Sequence, residues 1–190
     1  MGLEIEAKLR VESHEPLRRK LAALGTDIVG RVRETNHILD SADGSLRSSG
    51  SALRVRANQP ADGGSATATV TFKGPVQPGA VKRREEIEAS VDDPVAMLEL
   101  LRALGFVEVM TYRKRRESYR LDNCRIELDE VPMLGCFVEI EGPDERAIRR
   151  VQQRIGLADL EHIPKSYIAL LSEHCHRTGR DPRDIDFDDG

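Results

Sequence analysis

The chain contains no tryptophan, and its other aromatic residues are four phenylalanines and three tyrosines in 190 residues. That scarcity excludes the stacking platforms of single-strand nucleic-acid binders. Cysteine is equally sparse. Cys124, Cys136 and Cys175 stand far apart with no CxxC spacing, which excludes a disulfide framework or a zinc site. They read as reduced thiols of a cytoplasmic protein. No apolar run approaches the ~20 residues of a membrane span. The first residues enter a strand at once, so no signal peptide is expected. No GxxxxGK[ST] sequence is present, so phosphate is not held by a P-loop. A dominant sign of charge is lacking too. A third of the residues are charged, yet the formal net charge is only -4. Nonspecific nucleic-acid binding through a uniformly basic surface is therefore excluded.

What is present is charge arranged in pattern. Successive side chains of a strand point to opposite faces. In Glu4-Ile5-Glu6-Ala7-Lys8, the charged residues share one face while Ile5, Ala7 and Leu9 share the other. The ExE pattern returns as Glu86-Ile87-Glu88 and Glu139-Ile140-Glu141. Each copy precedes a helix-like stretch ending near a glycine: Gly25, Gly105 and Gly156. This unit looks like an internal duplication. Three strands with paired acids on one face suggest a charged interior that holds metal and something anionic.

The length suits one domain or two small ones. Alternation and turn signals predict eight strands, near 3–11, 33–40, 51–57, 66–73, 81–90, 109–120, 123–129 and 135–142. Four helices are predicted. One follows Ser13 and ends at Gly25. One opens at Asp93-Pro94, an N-cap followed by a first-turn proline, and ends at Gly105. One runs from about Pro143 to Gly156, and one from Lys165 to His174. Apolar stripes such as Leu17, Leu21, Leu24 and Val95, Leu98, Leu101 need a partner, which the apolar strand faces supply. The segments 59–65 and 74–80 read as surface loops. The acidic stretch 177–190 reads as a disordered tail.

Alternation extends the charged face to every strand. Arg54 joins Arg56, Lys73 joins Thr67, Thr69 and Thr71, and Lys82 and Arg84 join Glu86 and Glu88. Lys114 joins Arg116, Glu127 joins Asp129, and Glu139 joins Glu141. This face could be solvated on an open sheet, or it could line an eight-stranded barrel wide enough for a ligand. Like charges side by side on a sheet repel and need a reason. Arginine and lysine suit a polyphosphate. Clustered carboxylates suit Mg²⁺ or Mn²⁺. His37 reads as a strand residue with a structural hydrogen bond, and His174 and His176 as solvated.

These motifs resemble the CYTH domain, or triphosphate tunnel metalloenzymes. That family includes class IV adenylate cyclases, thiamine triphosphatases and inorganic triphosphatases. Glu4 to Lys8 resembles its ExExK signature, Leu53-Arg54-Val55-Arg56 its LRxR strand, and Thr71-Phe72-Lys73-Gly74 its lysine strand. Arg84 to Glu88 resembles RxExE, and Lys114-Arg115-Arg116 resembles KxR. Leu128-Asp129 and Glu139-Ile140-Glu141 resemble the closing strands, and Lys165-Ser166-Tyr167 a C-terminal KSY segment. Asn36 to Asp40 and the Lys73-Gly74-Pro75 turn are most similar to CyaB-type class IV cyclases.

The resemblance implies an α+β fold: an eight-stranded antiparallel β-barrel with helices packed outside, over residues 1–176. It implies that Lys8, Arg54, Arg56, Lys73, Arg84, Lys114, Arg116 and Lys165 bind triphosphate. Glu4, Glu6, Glu139 and Glu141 are the implied ligands for Mg²⁺ or Mn²⁺. Lys8, Glu86, Glu88 and Asp129 are the implied catalytic residues, with Glu127 as a further orienting acid. The expected activity turns ATP into cyclic AMP and pyrophosphate, or hydrolyses tripolyphosphate or thiamine triphosphate. A cytoplasmic monomer or homodimer is expected, with neither nucleic acid nor membrane as a partner.

Overall fold

A computed structural model describes residues 2–79 and 81–187. Residues 1, 80 and 188–190, which fall in the expected domain, the second loop and the tail, lie outside the described residues. The elements run β1 (Gly2–Val11), α1 (Glu15–Ala23), β2 (Ile28–Ser41), α2 (Ser45–Ser48), β3 (Ala52–Pro60), β4 (Thr67–Lys73) and β5 (Lys82–Val91). There follow α3 (Pro94–Ala103), β6 (Phe106–Leu121), β7 (Cys124–Val131), β8 (Gly135–Glu141), α4 (Glu145–Arg154) and α5 (Tyr167–Thr178). All eight predicted strands and four predicted helices are present, and β2 and β6 are longer than expected.

The single turn of α2 was not expected. Asp40 creates it: its carboxylate accepts from the Leu46 amide (2.9 Å) and the Arg47 amide (3.2 Å), capping donors that have no partner within the turn. Asp93 caps α3 in the same way, accepting from Val95 and Ala96. The three glycines expected to end helices do so. Gly25, Gly105 and Gly156 have φ of +70°, +94° and +81°, the left-handed reversal that a side chain disfavours.

The strands form a closed antiparallel barrel in the order β1-β5-β4-β3-β2-β6-β7-β8. This order makes the three ExE strands neighbours, β8 beside β1 and β1 beside β5. Glu6 lies opposite Glu141 and Lys8 opposite Glu139, while Glu4 lies opposite Arg84 and Glu6 opposite Lys82.

The outer faces are apolar where helices cover them. Leu17 and Leu21 of α1, with Ile148 and Val151 of α4, pack on Ile5, Ala7, Leu9, Ile126, Val138 and Ile140. Leu98 and Leu101 of α3 pack on Leu39, Leu53 and Val55. Val95, expected on the same stripe, is exposed. Steps of three residues turn a helix about 300°, so the third member of such a stripe drifts off the buried face. Phe72 and Ile87, on the outer face of β4 and β5, are also exposed.

Helix α5 is placed differently from the others. Its Tyr167, Leu171 and Cys175 pack on Ile38, Met110, Tyr112 and Phe137, which continue the inward-facing rows of the barrel. The expected disordered tail is corrected in its described part. Helix α5 runs on to Thr178, and Ile185 is buried in the α5 cluster. The Ile185 carbonyl accepts from Arg113 N (2.9 Å), and Ile185 N donates to Thr111 O (2.8 Å). Asp186 pairs with Arg33 and Arg113, and the Arg115 guanidinium lies 4.0 Å from the Phe187 ring centre. The reason is electrostatic. Arg33 and Arg115 face each other across β2 and β6, and like charges so placed repel until acids approach.

Candidate active site

The barrel encloses a cavity of about 500 Å³. Its wall carries Glu4, Glu6, Lys8, Arg54, Arg56, Lys73, Arg84, Glu86, Glu88, Lys114, Arg116, Glu127, Glu139 and Glu141, all expected on one charged face. The open-sheet alternative is thereby excluded. Two expected residues stand elsewhere. Asp129 is fully buried and does not line the cavity. Lys165 points outward, its ammonium 2.7 Å from Glu173, and only its carbonyl turns inward to accept from Lys8 Nζ (3.0 Å). Tyr167, two residues on, enters the wall in its place.

The ionic contacts fall into two groups. In the first, Lys73 reaches Glu4 (2.7 Å) and Glu86 (2.9 Å), and Lys82 pairs with Glu6. In the second, Arg116 contacts Asp129 through two nitrogens at 2.6 Å and reaches Glu139 at 2.5 Å. Lys114 lies between Asp129 (3.0 Å) and Glu34 (3.2 Å). Glu34 also reaches Arg56 (3.2 Å) and Arg116 (3.5 Å). Tyr167 donates its hydroxyl to Asp129 at 2.9 Å. Asp129 therefore accepts from Lys114, Arg116 and Tyr167, which leaves it no capacity to act on a nucleophile.

Several buried atoms are left without partners. Arg84 is only 5% exposed, and its Nε and Nη2 donate to nothing. Arg54 Nε and Glu4 Oε2 are likewise unmatched. A buried donor without an acceptor costs about 1–3 kcal/mol, more when charged. Such groups in one cavity mark where a ligand supplies the partners.

Acidity in the cavity follows the same division. Burial pushes the Glu139 carboxyl up, but Lys8 and Arg116 outweigh it and hold it well below its ordinary range. Burial also opposes ionisation of Glu34, yet Arg56, Lys114 and Arg116 bring its pKa down. Burial, then the approach of Arg116, lowers the Lys114 pKa. Glu141 behaves oppositely. Burial raises it, and Glu4, Glu6 and Glu86 raise it further. Among the described residues its side chain has no ion-pair or hydrogen-bond partner. Burial likewise raises Glu127, while Tyr112, deep in the wall, is pushed up to about 12.

Among the described residues, no three acidic, histidine or cysteine groups stand as a ready metal cage. Lys73 and Lys82 occupy Glu4 and Glu6 in this state. The donor set nevertheless fits a hard divalent cation: Glu4 has an orphaned buried oxygen, and Glu141 carries the repulsion of three other carboxylates.

Sequence reasoning missed Glu34, Lys82, Arg125, Tyr112 and Tyr167 as site residues. Lys82 was on the charged face but outside the expected ligand set. Glu34 gave no signal, because a single acid in a polar strand reads as solvated. Tyr167 was visible in the KSY segment, where Lys165 drew the expectation. His37, on the outer face, contacts Glu108 at 3.2 Å, the structural bond expected of it.

A model of the CYTH domain matches residues 2–167, the whole barrel with its helices as far as the first residue of α5. The chain belongs to the CYTH family. It is 32% identical over 139 residues to "Putative adenylate cyclase MJ0240" of Methanocaldococcus jannaschii, covering 73% of this chain and 76% of that one. It is 26% identical over 180 residues to adenylate cyclase CyaB of Aeromonas hydrophila, covering 90% and 89%. The structure of protein PH1819 from Pyrococcus horikoshii OT3 superposes with a TM-score of 0.78 at 27% identity, over 90% of this chain and 99% of that one. Membership in this family agrees with a charged barrel interior, a shared architecture in which the wall residues determine the chemistry.

Proposed function

We propose that this CYTH protein is a divalent-metal-dependent enzyme that grips a triphosphate inside the barrel and breaks one of its phosphoanhydride bonds, as a class IV adenylate cyclase does. The observation that carries this reading is the mismatch within one cavity. Arg84 and Arg54 hold buried donors without acceptors, and Glu4 holds a buried acceptor without a donor. A polyphosphate answers the first and a cation the second. Phosphoryl transfer is catalysed almost wholly by positioning and charge stabilisation, which such a wall can supply.

Each part of the wall takes a role. Arg54, Arg56, Lys73 and Arg84 hold phosphate oxygens from one side, and Lys8, Lys114 and Arg116 from the other. Glu34, Asp129 and Glu139 keep those cations in place. Glu4, Glu6, Glu86 and Glu141 would hold Mg²⁺ or Mn²⁺, which supplies charge neutralisation at the phosphate oxygens. In the cyclase reaction the ribose 3′-oxygen bonds to the α-phosphorus. The bond from that phosphorus to its bridging oxygen breaks, and pyrophosphate leaves. Of the acids expected to serve the nucleophile, Glu88 is the one open enough to take its proton; its side chain is 46% exposed. Two relatives named as adenylate cyclases support this form of the reaction.

One observation favours a second reading, hydrolysis of a terminal phosphate, and within it tripolyphosphate, which carries no ring, over thiamine triphosphate, which carries two. The aromatic wall residues, Tyr112 and Tyr167, are both buried, so neither offers an open face to a base. Incubation with ATP or with tripolyphosphate, plus Mg²⁺ or Mn²⁺, separates the two. Cyclic AMP with pyrophosphate is the cyclase outcome and orthophosphate the hydrolase outcome. Binding without any product would overturn both in favour of a non-catalytic module.

A further inference from the structure

We infer that Tyr167 is a positioning residue that aims the ammonium groups of Lys8 and Lys114 into the cavity by the face of its ring, an inference that rests on the triphosphate reading. Lys8 Nζ lies 4.0 Å from the ring centre and Lys114 Nζ 5.3 Å from it. The ring is fixed on two sides. Its hydroxyl donates to Asp129 Oδ2 at 2.9 Å, and Phe137 packs edge-on with centres 5.2 Å apart at 78°. Ser166 caps α5 just before it, its hydroxyl accepting from Ala169 N at 3.2 Å. Tyr167 thus enters the wall from a capped helix start that Lys8 ties down through the Lys165 carbonyl.

The reason for a ring lies in what the two lysines are for. A carboxylate in its place would hold an ammonium as well, but it would neutralise the charge and compete with phosphate. An aliphatic side chain would hold nothing. Lys8 would then be left to Glu139, 3.4 Å away, and Lys114 to the Asp129 and Glu34 carboxylates that it already contacts at 3.0 and 3.2 Å. The negative face of an aromatic ring attracts a cation without net charge of its own, and it does so most strongly in a desolvated site. Both lysines are almost fully buried here, at 3% and 1% exposure. The phenol also stays neutral. Burial and Asp129 hold its ionisation well above the ordinary range, so the ring adds no anion to the phosphate site.

The test varies the ring's charge distribution and leaves its shape nearly unchanged. Tyr167→Phe, and 3,4,5-trifluorophenylalanine in place of Tyr167, are compared with the wild type by calorimetric titration of tripolyphosphate in EDTA. Tyr167→Phe keeps the ring and loses the charge-assisted hydrogen bond to Asp129, a carboxylate that Lys114 and Arg116 still hold, so it is the reference against which the ring's own contribution is read. The trifluorinated ring should bind about tenfold more weakly than the Tyr167→Phe form at an unchanged melting temperature, because fluorination removes the quadrupole. Equal affinity of the two forms would overturn the inference, while triphosphate binding by the wild type would leave the triphosphate reading standing. A wild type that bound no tripolyphosphate would remove that reading and this inference together. A ligand-free measurement checks the contact itself. The Lys8 ε-methylene resonance should lie upfield through the ring current and return to its usual position in Tyr167→Leu. Failure to move would place the ring away from Lys8.

Discussion

At the scale of single residues, the cavity separates cations that are held from cations that wait. Arg116, Lys114 and Arg56 are held by Glu34 and Asp129, whereas Arg84 waits with two nitrogens unmatched. The two kinds predict opposite mutants. Glu34→Gln should lower stability by roughly 3–5 kcal/mol in denaturant titration, because it leaves buried charges uncompensated. Arg84→Met should weaken triphosphate binding by about 1.5–3 kcal/mol, read by calorimetry. Its melting temperature should fall by no more than about 2–4 °C, since no ion pair is broken. The acids divide as well, and their signs differ with pH. Glu34 and Glu139 titrate below their ordinary 4.5, so their stabilisation is present above that value and is lost as pH falls toward their folded values. Glu141 titrates above 4.5, so the strain of its charge is felt at neutral pH and relieved as pH falls through its raised value. Proton and cation compete for that carboxylate. Mg²⁺ affinity, measured by calorimetry, should therefore begin to fall at a higher pH in the wild type than in Glu141→Gln.

At the scale of elements, strand alternation was the most legible signal. It placed Glu4, Glu6 and Lys8 on one face, and that face is the cavity. It did not say which strands would be neighbours. The contact of Glu6 with Glu141 joins residues far apart in the chain, and only the barrel order brings β8 to β1 and β1 to β5. Helix ends were legible through Asp93-Pro94 and three glycines, because caps are local chemistry. The α2 turn was not, since Asp40 works by bonding six and seven residues ahead. The docking of α5 on inward-facing residues was illegible for a related reason. An apolar stripe tells that a helix is covered, not by which side of a sheet. Packing at the β8–α4 junction gives a prediction of its own. A Cβ at Gly142 would meet Cys124 Sγ at 2.7 Å and Ile148 Cγ1 at 3.1 Å. Gly142→Ala should destabilise by about 1–3 kcal/mol through overpacking. Cys124→Ala should recover part of that loss, and a double-mutant cycle by thermal denaturation reads the coupling. Strict additivity would mean that the two side chains do not share the space.

At the scale of the whole molecule, the barrel stores charge by letting acids and bases answer each other. In the free protein Lys73 bridges Glu4 and Glu86, and Lys82 holds Glu6. On the proposed reading, an entering triphosphate would draw Lys73 toward phosphate oxygens, alongside the unmatched Arg84 and Arg54. Glu4 and Glu86 then lose their counter-charge and face Glu141, which already carries their repulsion. A divalent cation removes that penalty. A cation arriving alone must instead displace the lysines, which leaves them uncompensated. Each ligand thus lowers the barrier to binding the other, and linkage requires the effect to be reciprocal. A ligand that binds only the folded state stabilises it by about 2.7 kcal/mol at a hundredfold excess over Kd. The melting temperature should therefore rise more with tripolyphosphate and Mg²⁺ together than the sum of the two separate rises. Glu4→Gln combined with Glu6→Gln should remove the excess and keep a response to tripolyphosphate alone, because losing negative charge does not weaken the arginine grip. Additive rises in the wild type would mean that the anion and the cation bind at unconnected places, and the exchange of partners across Lys73 would then have no role in binding.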